Sequence, residues 1–104
     1  MDAGRLLKRM KSLLQDAFGD RLRGVVLYGS EVRGAALPDS DIDVIVLIDG
    51  PPKDPHDSWA CIDALYPLVL ELGRPIHAEP VDVAVYEAAE YPLYQEAKRE
   101  GICA

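Results

Sequence analysis

A chain of 104 residues with 49% hydrophobic composition is the size of one small globular domain, residues 1–104, and leaves no material for a second. Its formal net charge of −7 opposes non-specific attraction to a polyanion, so direct nucleic-acid binding is not expected and a nucleotide would need a metal ion beside it. Cys61 and Cys103 have no partner at disulfide-framework or zinc spacing, and neither a signal-peptide core nor a membrane-length apolar run is present, so the chain reads as reduced, soluble and cytoplasmic.

In residues 3–18, Leu6, Leu7, Met10, Leu13, Leu14, Ala17 and Phe18 recur at steps of three and four, with Arg5, Lys8, Arg9 and Lys11 between them. This spacing predicts an amphipathic helix stopped by Gly19. "GVVLYG" and "DIDVIVLID" are β-branched runs bounded by turn residues and predict two largely buried strands. After "DGPPKDPHD", Asp57 or Ser58 can cap a helix whose core stripe is Trp59, Ile62, Leu65, Tyr66, Val69 and Leu72. Pro67 should kink or split it. "PVDVAVY" alternates as a third strand, with Val81, Val83 and Val85 facing the core, and Pro92 opens a last helix closed by Gly101. The order α-β-loop-β-α-β-α implies one α/β layer fold. No internal repeat or low-complexity tract interrupts it.

The chemistry gathers in "LYGSEVRGAALPDSDIDVIVLID". Strand alternation turns Asp41 and Asp43 to one side while Ile42 and Val44 face the core. Two adjacent carboxylates raise each other's pKa unless a cation that prefers oxygen ligands lies between them, which points to a divalent ion such as magnesium. A calcium loop starting at Asp39 fails at its sixth and twelfth positions, Val44 and Gly50, where Gly and Glu are needed. A phosphate-binding P-loop fails at Ala35 and Ala36, where Lys and Ser or Thr are required. Asp39 and Asp49 flank the strand and suit turn roles better than ligation. His56 and His77 have no partner constellation and read as structural or exposed. Trp59, Tyr66 and Phe18 read as packing residues, while Tyr91 and Tyr94 are rim or partner-contact candidates.

The combination of Gly29-Ser30 after a strand, then residues 31–40, then Asp41-Ile42-Asp43-Val44 resembles the signature of the polymerase-β-type nucleotidyltransferase superfamily. In so short a chain it looks like a minimal nucleotidyltransferase. The resemblance extends over most of the chain, through "VDVAV" to "EGI". It implies a single α+β domain with a mixed sheet packed by helices. It also implies ATP as nucleotide donor, two Mg2+ ions on Asp41, Asp43 and a third acid from a later strand, and nucleotide binding by Gly29, Ser30 and Arg33. Asp82 fits the third acid. Glu79, just before Pro80 and ahead of the expected strand start, is the alternative. One departure is Glu31, a negative charge where members of the family often carry a basic or small residue.

Two functions of different classes follow. The first is a magnesium-dependent transferase moving AMP to a hydroxyl, with the acceptor supplied by another protein because so small a domain has little wall for an acceptor pocket. The resemblance implies a HEPN-domain toxin, modified on a tyrosine, with this chain as antitoxin. The second is a catalytically silent module that neutralises its partner by contact, its acidic surface covering a basic face. The Gly-Ser turn, paired acids and Asp82 favour the enzyme; Glu31 and the missing acceptor domain favour the binder. Self-association is open in both.

Overall fold

The computed structural model describes residues 2–34, 37 and 40–104. Asp39, together with Ala35 and Ala36 on which the P-loop comparison turned, lies outside the described residues.

The first helix, α1, runs Ala3–Phe18 as its periodicity predicts. Asp2 caps it by accepting the Arg5 N–H at 2.8 Å. Leu6, Leu7, Met10, Leu14 and Phe18 form its buried stripe. Met10 and Leu14 are sealed from solvent, and burial of each such side chain contributes about 2 kcal/mol. The two β-branched runs become β1, Leu22–Tyr28, and β2, Ile42–Ile48, paired antiparallel. A single turn of helix, α2, Ser30–Arg33, interrupts the loop between them.

The second long helix, α3, spans His56–Leu72 and carries Pro67 without being split. Pro67 is exposed, so its ring and missing N–H disturb no packed surface. The helix also starts earlier than expected, with Pro55 at the cap position and Asp57 buried in the first turn rather than capping. Its expected stripe is rotated. Cys61, Leu65 and Leu68 are buried, whereas Trp59, Ile62 and Tyr66 are more than half exposed. The helix is apolar on both sides, so periodicity alone could not choose which side meets the sheet.

The third strand, β3, spans Ile76–Asp82 and runs parallel to β2. It starts four residues ahead of the expected Pro80, and Val83 opens a helix, α4, Val83–Ala88, so the expected strand face of Val81, Val83 and Val85 does not form. Pro80 lies inside β3, which is tolerable because β3 is an edge strand. Helix α5, Pro92–Glu100, follows with Pro at its first position, and Ile102–Cys103 adds a short strand, β4, antiparallel to β1.

The mixed sheet has the order β3-β2-β1-β4. On one face α1 and α3 cover Val25, Leu27, Ile42, Val44, Val46 and Ile48. On the other, α4 and α5 pack over Val26, Ile45, Leu47 and Val81. With both faces covered, β2 must be a continuous apolar run, which explains "VIVLI". Among the described residues no helix is long and apolar enough to cross a membrane.

Candidate active site

Strand register assembles the site. Tyr28 on β1 pairs with Asp43 on β2, and Asp43 pairs with His77 on β3, so these three side chains form one row across the sheet. The next row on that face is Val26, Ile45 and Glu79. Both rows lie on the side opposite α1 and α3, and Asp41, exposed just before β2, shares their parity.

The Gly29-Ser30 turn closes over this end of β2. Gly29 has φ +82°, which favours glycine, and a Cβ there would crowd Asp43 Oδ2 at 3.0 Å. Ser30 then opens α2, whose turn is tied back by Val32 and Arg33 N–H groups donating to the Gly29 carbonyl, each at 3.2 Å.

Asp43 is partly buried, and desolvation is the main reason its carboxyl titrates above the ordinary range. His77 pulls it down, Asp41 pushes it up and Arg33 pulls it down. Burial pushes the Tyr28 phenol up to about 12, and the charges of Asp43 and Glu79 push the same way. Paired carboxylates in a half-dry site are hard oxygen donors suited to Mg2+, which is commonly held by one or two carboxylates plus substrate phosphates. The pair fits such an ion. No group of three His, Cys, Asp or Glu side chains is gathered for a metal among the described residues.

Asp82 is not brought to the pair. It aligns with Ile48 at the far end of β2, about 17 Å along the strand from the row of Asp43, and on the parity of the α1/α3 face. Its carboxylate accepts the Ala84 N–H at 2.9 Å and caps α4. Glu79 instead lies mid-strand on the Asp43 face. The expectation that β3 begins after Glu79 rested on Pro80, and the edge position removes that objection.

Arg33 lies close enough to influence Asp43, but its Nη1 donates to Glu100 Oε2 on α5 at 2.9 Å. Asp49 follows β2 in a bend, exposed and paired with Arg23, as a turn residue should be. His56 packs edge-on against Trp59. His77 is exposed as expected, yet its place beside Asp43 was missed, because β3's parity can be read only once its first residue is known.

Glu31 does not stand as a free negative charge. Its Oε1 lies 2.6 Å from Arg74 Nη2, and both side chains are largely shielded. Nothing in the local sequence pairs residues so far apart.

The model of the family described as nucleotidyltransferase domain matches residues 4–101. The Methanocaldococcus jannaschii protein named "Putative protein adenylyltransferase MJ1305" is 33% identical over 72 residues, 65% of this chain and 49% of that protein. The chain thus spans about half the length of this curated relative. A crystal structure of a toxin–antitoxin with AMP-PNP superposes with a TM-score of 0.67 at 22% identity, covering 92% of this chain and 69% of that one. A provisionally named minimal nucleotidyltransferase superposes at 0.55 with 25% identity, covering 98% and 95%.

Proposed function

The chain belongs to the nucleotidyltransferase domain family, and from that membership we propose that it is a Mg2+-dependent nucleotidyltransferase that moves AMP from ATP to a hydroxyl acceptor. The observation that carries this reading is the Gly29-Ser30 turn closing on Asp43, which sets a glycine backbone beside a carboxylate on the sheet face that Asp41 shares.

Asp41 and Asp43 would hold the ion, which when bound would neutralise charge developing on the phosphate oxygens. Gly29 lets phosphate approach the backbone, and the Ser30 hydroxyl donates to it in this reading. Arg33, half-exposed, can exchange Glu100 for a phosphate. The acceptor oxygen bonds to the α-phosphorus, the bond to the bridging oxygen breaks and pyrophosphate leaves. Glu79, which shares the Asp43 face of the sheet, takes the acceptor proton in this reading in place of Asp82.

In this reading the acceptor belongs to another protein. Support for a toxin as acceptor comes from the toxin–antitoxin complex of the same fold and from the relative named as a protein adenylyltransferase. The reading is an antitoxin that adenylylates a tyrosine of a HEPN-type toxin. The lack of a third gathered ligand among the described residues favours a second reading, a silent module acting by contact.

Incubation with labelled ATP, Mg2+ and a candidate HEPN-type toxin separates them. Transfer predicts label on that protein, reduced about 100-fold or more in Asp43→Asn. Neutralisation without label leaves the contact reading.

A further inference from the structure

Three segments meet behind the site. Arg74, between the end of α3 and the start of β3, extends its guanidinium across two of them. Its Nε donates to the Ser40 carbonyl at 3.0 Å, immediately before Asp41. Its Nη2 reaches Glu31 Oε1 at 2.6 Å, immediately after Ser30. The side chains of Arg74 and Glu31 are 15% and 14% exposed. Neither Glu31 Oε1 nor Arg74 Nη2 makes a contact of hydrogen-bond geometry, so each depends on the charge of the other. The next residue adds a backbone tie, the Ile42 N–H donating to the Pro75 carbonyl at 3.0 Å.

The geometry points to Arg74 as a positioning residue that, through Glu31, holds the Gly29-Ser30 turn and, through Ser40, holds the entry to the Asp41-Asp43 strand. It touches neither the nucleotide turn nor the carboxylates. It sets the distance between them. The planar guanidinium suits this because its spread nitrogens can bond Ser40 and meet the Glu31 charge at once, which the single nitrogen of a lysine does less well. Glu31, an apparent liability next to a triphosphate turn, becomes the anchor for that fork. The inference rests on the nucleotidyltransferase reading of the site.

A simple Arg74→Ala change strands a shielded carboxylate and can unfold the chain, so the test uses Glu31→Met with Arg74→Met together. Replacing a buried ion pair by apolar side chains of similar volume commonly preserves or raises stability. The double variant is expected to keep the wild-type melting temperature or exceed it. Amide hydrogen exchange at residues 29–33 and 40–42 should quicken while β1 and the rest of β2 stay protected. Turnover with Mg-ATP should fall about 10- to 100-fold, the scale of ångström misplacement, with a smaller change in nucleotide Kd by titration calorimetry. Arg74→Lys should recover part of the turnover, because one of the two contacts survives. A double variant with wild-type exchange and turnover overturns the role of Arg74 and leaves the enzyme standing. Wild-type protein that binds no Mg-nucleotide overturns the nucleotidyltransferase reading itself, and this role with it.

Discussion

Glu79 and Asp82 sit three residues apart on one strand and face different surroundings. Glu79 shares a row with Ile45 on the Asp43 side of the sheet, whereas Asp82 ends the strand and closes the first turn of α4. Their removal should therefore read out differently. Glu79→Gln is expected to lower Mg2+-dependent turnover about 10-fold or more, the usual effect of losing a supporting ligand or proton acceptor. Asp82→Ala should leave turnover unchanged and destabilise the fold by about 1 kcal/mol, the typical worth of a helix cap. Steady-state rates measured beside thermal melts decide it, and the reverse ranking would return Asp82 to the active site. Gly29 belongs to the same scale, since a side chain there would be strained by its positive φ and would press on Asp43.

At the scale of elements, α3 is attached to the sheet by an ion pair as well as by its apolar face. Arg21, just before β1, donates to both oxygens of Asp57 at 3.0 and 2.7 Å, and the Lys53 N–H adds a third contact at 2.7 Å. The Arg21 hydrogen bonds are the main reason the Asp57 carboxyl is held down to about 2, against an ordinary 3.8. A depressed carboxylate stabilises the fold above its unfolded pKa, and that contribution is lost as pH falls from about 4 through 2. Asp57→Asn is expected to lose about 2 kcal/mol at neutral pH. Urea melts should show the gap between variant and wild type closing as the pH drops below about 4; a gap independent of pH would remove the ion pair from the account. The same helix turns Trp59, Ile62, Tyr66 and Leu70 outward, an exposed apolar stripe on the layer away from Asp43.

Across the whole molecule, a net charge of −7 works against a triphosphate, and the site adds Asp41 and Asp43 to that repulsion. Nucleotide affinity should therefore depend wholly on the divalent ion. Calorimetric titration with ATP is expected to show binding with Mg2+ present and none after EDTA. With Mg2+ kept saturating, raising monovalent salt to about 0.15 M should leave affinity unchanged or improve it, because screening over about 8 Å weakens the repulsion. A steep loss of affinity with salt would mean that basic groups dominate the site instead.

How much of this was legible beforehand follows from the range of each signal. Helix α1, strands β1 and β2, the Gly29-Ser30 turn and the shared side of Asp41 and Asp43 follow from periodicities of 3.6 and 2 residues. Those are properties of neighbours in the chain, so the sequence by itself determined them, and with them the family resemblance. The buried side of α3, the placement of His77 beside Asp43 and of Glu79 one row on, the separation of Asp82 and the pairing of Glu31 with Arg74 were decided only by the tertiary structure. Each depends on register between segments far apart in sequence. A shift of one residue in β3 would exchange the faces of Glu79 and Pro80, and no local pattern records that choice.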